Sequence, residues 1–267
     1  MKIEVLHICP DRPWSDLTAY LNTNRAVKPR RAIIVCPGGA YSHLSYREDE
    51  PIALAWVAEG FQTFVLHYGI NENAKSFGPL IEACSAIRYV REHAAEYDID
   101  PARIFITGFS AGGHLAASAS TLWDHAAVRA AFGDTPTQMG RPDGAILCYP
   151  VISAGEYAHR GSMYNLTREG ATAEEQAPFS LENFVGDQTP PTFLWHTAND
   201  GGVPAMNSLL YASALAKHKI PYELHIYPDG VHGLALCDER SWDGVPPLIN
   251  PVAAGWFDLA VRWANAL

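Results

Sequence analysis

The chain has 267 residues, a formal net charge of −10, and 48% hydrophobic against 18% charged residues. That length can bury the core of one large α/β domain, and the apolar content excludes disordered and collagen-like classes. The acidic balance argues against nucleic acid or an anionic membrane as a partner, and no apolar run approaches the roughly 20 residues of a membrane-spanning helix.

In chain order, Ile3 to Ile8 and Leu17 to Leu21 have no helix between them and predict an antiparallel edge hairpin. Arg31 to Cys36 reads as a buried strand. Glu50 to Gly60 reads as a helix with proline near its start and glycine at its end. Phe61 to Tyr68 predicts a strand and Pro79 to Tyr97 a long helix. Arg103 to Thr107 is a short strand that runs into Gly108-Phe109-Ser110-Ala111-Gly112-Gly113-His114 and an alanine-rich helix. Strands follow at Gly144 to Tyr149, Thr192 to Thr197 and Tyr222 to Tyr227, with helices from Ala205 to His218 and from Trp256 to Leu267. Continuous apolar strands separated by helices predict a mostly parallel, doubly wound sheet covered on both faces, with the N-terminal hairpin as its antiparallel edge. No linker or repeat divides residues 1–267, so a single domain is expected, with 153–191 as a cap-like insertion over the site. The N-terminal stretch lacks a signal-peptide core, and the five cysteines include no C-x-x-C pair. A soluble, cytoplasmic protein is the expectation.

Strand, then Gly-x-Ser-x-Gly, then helix is the setting of a nucleophile elbow. Glycines two residues either side of Ser110 let the turn pass the strand and helix, and the helix N-terminus favours an oxyanion beside the hydroxyl. In a doubly wound sheet, ligands bind beyond the carboxyl ends of the strands. Those ends deliver Pro37-Gly38-Gly39-Ala40-Tyr41, Ser110, Ala198-Asn199-Asp200 and Pro228-Asp229-Gly230-Val231-His232-Gly233. A donor loop, a serine, an acid and a histidine together make up a hydrolase inventory. The order Ser…Asp…His is that of α/β-hydrolases.

Ser110, Asp200 and His232 are therefore the expected triad. The N–H groups of Gly39, Ala40 and Ala111 are the expected oxyanion hole. Asp187, Asp229 and Asp238 compete for the acid, but only Asp200 directly follows a core-like strand. His196, His218 and His225 read as packed or surface histidines. His114, one helical turn past Ser110, is expected to pack or hydrogen-bond locally. No His-Glu-x-x-His, clustered Cys/His or phosphate-binding glycine pattern occurs, so neither a cofactor nor a metal is called for.

These motifs give the chain a resemblance to the α/β-hydrolase superfamily, in its small lipase/esterase branch near acetylxylan esterases and bifunctional feruloyl/acetylxylan esterases. The likeness rests on Cys36-Pro37-Gly38-Gly39-Ala40-Tyr41, Arg47 to Ala53, Gly108 to Ala116, Thr189 to Thr197, Asp200 with Val203-Pro204, and Gly230-Val231-His232-Gly233, in the family's order. The resemblance implies the same triad and carboxylic esters as substrates, often acetyl groups on sugars or xylo-oligosaccharides. Two features depart from the pattern: Ala40 stands where members often carry a third glycine, and Gly201-Gly202 is flexible for a loop that must fix the acid. The reading is a serine carboxylesterase acting on a small-molecule ester, with self-association into a homo-oligomer left open. The alternatives are a small amidase, formamidase or peptidase of the same fold, and a hydrolase-fold binding protein without catalysis.

Overall fold

The computed structural model describes residues 1–24 and 29–267. The N-terminal hairpin is β1 (Lys2–Leu6) and β2 (Asp16–Leu21), antiparallel to each other. Next come β3 (Arg30–Cys36), α1 (Glu50–Ala58), β4 (Gln62–His67), α2 (Gly78–Glu92), β5 (Ile99–Phe109), α3 (Ala111–Thr121), α4 (Ala126–Phe132) and β6 (Gly144–Cys148). The 153–191 stretch carries two short helices, α5 (Arg160–Leu166) and α6 (Ala173–Gln176). The chain closes with β7 (Thr192–Thr197), α7 (Met206–Lys217), β8 (Tyr222–Tyr227) and α8 (Trp256–Ala266).

The strands form one sheet in the order β1-β2-β4-β3-β5-β6-β7-β8. From β4 to β8 every pairing is parallel, and β2 joins β4 antiparallel. The expected α/β-hydrolase architecture is what the chain adopts. Two elements differ from expectation. The second long helix stops at Glu92 rather than Tyr97, because the chain turns there through Asp98 at φ 56° and Ile99 N–H bonds Ala94 C=O. That turn lets β5 start at Ile99, pairing Arg30 across a register shift, so the strand is longer than its apolar core Arg103 to Thr107 announces.

Alternation along the strands sorts side chains to two cores. Ala32, Ile34 and Cys36 face one buried cluster with Leu80, Ile87, Leu115 and Tyr211 from α2, α3 and α7. Ile33 and Val35 face the other, with Trp56 of α1 and Trp256 of α8, where Trp195 stacks on Trp256 at 5.1 Å between centroids. Met163, Leu166, Phe179, Leu181 and Val185 from the 153–191 stretch join the first cluster. No helix of the described residues is long and apolar enough to cross a membrane.

Candidate active site

Ser110 sits between β5 and α3 at φ 53°, ψ −117°, a conformation L-residues seldom hold. Three backbone bonds fix it: Ser110 N–H to Cys148 C=O, and Val151 and His114 N–H to Ser110 C=O, at 3.0–3.1 Å. The flanking glycines are steric necessities. A Cβ on Gly108 would lie 2.0 Å from Gly112 O, and one on Gly112 would lie 2.0 Å from Cys36 O. The serine side chain is left pointing into a cavity of about 240 Å3 lined by Gly39, Ala40, Arg47, Ser110, His159 and His232, among others.

Loops from three strand ends meet there. His232 Nε2 lies 2.8 Å from Ser110 Oγ, and His232 Nδ1 lies 2.7 Å from Asp200 Oδ2. A carboxylate only accepts, so Nδ1 carries the proton and Nε2 is free to accept from the serine hydroxyl. Asp200 Oδ1 accepts from Gly202 and Val203 N–H at 2.8 and 2.9 Å. The glycine pair therefore wraps the acid rather than loosening it, and a Cβ on Gly202 would crowd His232 Cβ at 3.0 Å. Burial pushes the Asp200 carboxyl up, but hydrogen bonds from His196, His232 and the Val203 N–H outweigh it and hold the group below the usual carboxylate range.

Gly39 (φ 128°) and Ala40 (φ 56°) also line this cavity and, with Tyr41 (φ 60°), form a turn in the left-handed region. Among the described residues, the N–H groups of Gly39, Ala40 and Ala111 bond to no other protein group, so they remain free for a ligand oxygen. The turn is held from outside. Asn165 Nδ2 donates to Ala40 O at 2.8 Å, Tyr68 OH to Pro37 O at 2.6 Å, and Asn71 N–H to Tyr41 O at 2.7 Å. The alanine in place of a third glycine keeps the left-handed angle at the cost of strain.

The competing residues lie elsewhere. Asp229 is engaged by Asn199, Asp187 faces His218 at 3.4 Å, Asp238 pairs with Arg240, and His225 pairs with Glu223. His114 is buried between Tyr41 OH and Phe179 C=O, each at 2.9 Å, and burial lowers its pKa to about 4.

Three contributors escape sequence reasoning. His196, read as a packed histidine, is buried behind the acid. Its Nε2 lies 2.9 Å from Val203 O and 3.4 Å from Asp200 Oδ2, and its Nδ1 lies 2.8 Å from Ser208 Oγ. Glu48, 3% exposed, accepts from Gly38 N–H and Tyr149 OH at the base of the oxyanion loop. His159 reaches the cavity from the 153–191 stretch.

A model described as the prolyl oligopeptidase family matches residues 84–241, and the BD-FAE model matches residues 17–143. The chain is 38% identical over 232 residues to endo-1,4-beta-xylanase B of Butyrivibrio fibrisolvens, spanning 86% of this chain and 36% of that protein. It is 34% identical over 212 residues to an acetylxylan esterase of Xylanibacter ruminicola, 77% of this chain and 41% of that one. The chain thus covers well under half the length of these curated relatives. Among solved structures, an acetyl ester-xyloside bifunctional hydrolase from Caldicellulosiruptor lactoaceticus superposes with a TM-score of 0.84 at 38% identity, over 98% of this chain and 96% of that chain. A carboxylesterase from Lactobacillus plantarum superposes at 0.80 and 28% identity, over 100% and 98%. The chain belongs to the α/β-hydrolase superfamily, with the prolyl oligopeptidase family model spanning more than half of its length.

Proposed function

We propose that the protein is a serine carboxylesterase that hydrolyses short-chain acyl esters, acetylated sugars or xylo-oligosaccharides foremost, through an acyl-enzyme. The observation that carries this reading is the unbroken chain Ser110 Oγ, His232, Asp200 at 2.8 and 2.7 Å, opposite three unpaired N–H groups. His232 Nε2 takes the hydroxyl proton as Ser110 Oγ attacks the ester carbonyl, and the Asp200 carboxylate stabilises the imidazolium that forms. The Gly39, Ala40 and Ala111 N–H groups receive the charge on the carbonyl oxygen. When the tetrahedral species collapses, His232 returns the proton to the departing alcohol. Water then attacks the acyl-enzyme with the same histidine as base, releasing the carboxylic acid and Ser110.

The cavity of about 240 Å3 lies below the range of drug-sized pockets, which supports a short acyl group. The relatives named for acetyl ester and acetylxylan hydrolysis support the sugar-ester part of the reading. The five cysteines are free and buried, as in a reducing cytoplasm, which is part of the same reading.

Hydrolysis of p-nitrophenyl acetate, butyrate and octanoate, beside an acetylated xylo-oligosaccharide, tests the proposal. Ser110→Ala is expected to lower kcat by about 10⁶-fold, and retained turnover overturns the assignment. The match to the prolyl oligopeptidase family favours amide hydrolysis as the second reading. A matched anilide cleaved faster than its ester would move the assignment there, and binding without turnover of either would leave a ligand-binding protein.

A further inference from the structure

Of the described residues lining the cavity around Ser110, His159 alone comes from the 153–191 stretch. It is the N-cap of α5. Its Nδ1 accepts from the Ser162 backbone N–H at 3.3 Å and lies 2.9 Å from Ser162 Oγ. An N–H can only donate, so Nδ1 bears no hydrogen while the helix is capped, and the neutral ring must carry its proton on Nε2. Loss of solvent and the nearby His232 lower the pKa of His159 against the opposing pull of Asp200, so the neutral form dominates at pH 7. Among the described residues no protein group pairs with Nε2. A helix cap has thus fixed the tautomer of a half-buried imidazole and left one N–H without a protein partner at the mouth of the nucleophile's cavity.

The side of the cavity follows from the chemistry. The acyl oxygen belongs at Gly39, Ala40 and Ala111, whereas the alcohol must leave beside His232, which protonates it. His159 lines the same cavity as His232, the group that protonates the departing alcohol, so its ring borders the space that alcohol leaves through.

We propose that His159 Nε2–H is a substrate-positioning donor that recognises a hydroxyl oxygen vicinal to the scissile ester, so that the site selects esters of polyols such as sugars over esters of simple alcohols. This rests on the esterase reading of Ser110. A donor that a bound substrate shields from water and matches with a hydroxyl disfavours the analogue that lacks it, because the donor is then left unpaired in the complex.

Two substitutions separate the cap from the donor. In H159N the carboxamide oxygen stands near the place of Nδ1 and retains the cap, with no group at Nε2. In H159Q the carboxamide N–H stands near the place of Nε2. The measurement is kcat/KM for methyl 3-O-acetyl-β-xyloside divided by that for its 2,4-dideoxy analogue, with p-nitrophenyl acetate as a check on Ser110 chemistry. The wild-type ratio is expected to be about 10, the H159N ratio close to 1, and the H159Q ratio restored most of the way. A structural role alone would lower both rates and leave the ratio unmoved. An unchanged ratio in H159N overturns the proposal and leaves the esterase reading intact, as does a wild-type enzyme that does not distinguish the two xylosides. No hydrolysis of any of the three esters by wild type removes the esterase reading and this proposal together.

Discussion

Tyr149 donates its hydroxyl hydrogen to Glu48 Oε1 at 2.7 Å, and the Tyr149 hydroxyl oxygen in turn accepts the Ala235 N–H at 2.8 Å. Glu48 Oε2 takes the Gly38 N–H at 2.8 Å. The pair therefore bolts the oxyanion loop to the loop that carries His232, whose ring meets Tyr149 edge-on at 5.2 Å. A Cβ on Gly38 would meet Glu48 Oε2 at 2.5 Å, so the loop lies directly on the carboxylate.

Tyr149→Phe removes one hydroxyl and strands two buried groups, Glu48 Oε1 and the Ala235 N–H. Unpaired buried polar groups cost about 1–3 kcal/mol each. We expect a loss of about 2–4 kcal/mol in denaturant unfolding, and a fall in kcat of about 10-fold with KM for p-nitrophenyl acetate changed less. Unaltered stability would show that water replaces the hydroxyl, and the link between the loops would then carry no weight.

Stability should peak near pH 6.5, because two histidines titrate in opposite senses. His67 lies between Asp49 Oδ2 at 2.7 Å and Asp16 Oδ1 at 2.8 Å, and the Asp49 hydrogen bond leads in raising its pKa to about 9 despite burial. A raised folded pKa gives stability that is complete below about 6.5 and lost as pH climbs through about 9. With the ring nearly a third exposed, screening leaves about 1–2 kcal/mol of this. His114 is buried and held near pKa 4, so its contribution is complete above about 6.5 and fades as pH falls toward 4. Thermal unfolding from pH 4 to 9.5 should show both limbs. His67→Gln should flatten the alkaline limb alone, and a variant that keeps the wild-type alkaline slope would contradict the assignment.

Ala40→Gly should stabilise the chain. The alanine occupies φ 56°, where a Cβ costs about 1–2 kcal/mol, partly offset by the greater freedom of glycine in the unfolded chain. The expected net gain is about 0.5–1 kcal/mol in chemical denaturation. Because Asn165 and the Gly38 anchor still hold the turn, kcat should fall less than 3-fold, within the scatter of a single net hydrogen bond. A destabilised Ala40→Gly variant would show that the alanine methyl packs favourably enough to outweigh its strain.

Much of this molecule is legible before any coordinates. Buried parallel strands such as β3 are unbroken apolar runs, and Gly108 and Gly112 mark the elbow because nothing larger fits. That Ser110, His232 and Asp200 would meet follows once each strand end is asked what it presents. What stays hidden depends on distance through space. Glu48 lies in the Arg47 to Ala53 stretch that carries the family likeness, but its role stays hidden because it is buried only once the Gly38 N–H and Tyr149 OH, brought to it by the fold, satisfy its carboxylate. His159 looks like any polar residue of an irregular stretch until α5 needs a cap. The end of α2 was overrun because Ala94 and Tyr97 continue its apolar pattern, while the turn at Asp98 is imposed by β5 pairing with Arg30.

The three residues of the proposed triad also have an uneven footing in the sheet. Ser110 hangs from β5 in the middle, between β3 and β6, whereas Asp200 and His232 hang from β7 and from β8 at the sheet's edge. His232 reaches Ser110 across 122 residues of chain. An edge strand opens at lower free energy than a central one. Fraying of β8 would part His232 from Ser110 and so break the proposed proton relay while the elbow stays folded. On the proposed mechanism, lost turnover is therefore an earlier alarm than lost structure.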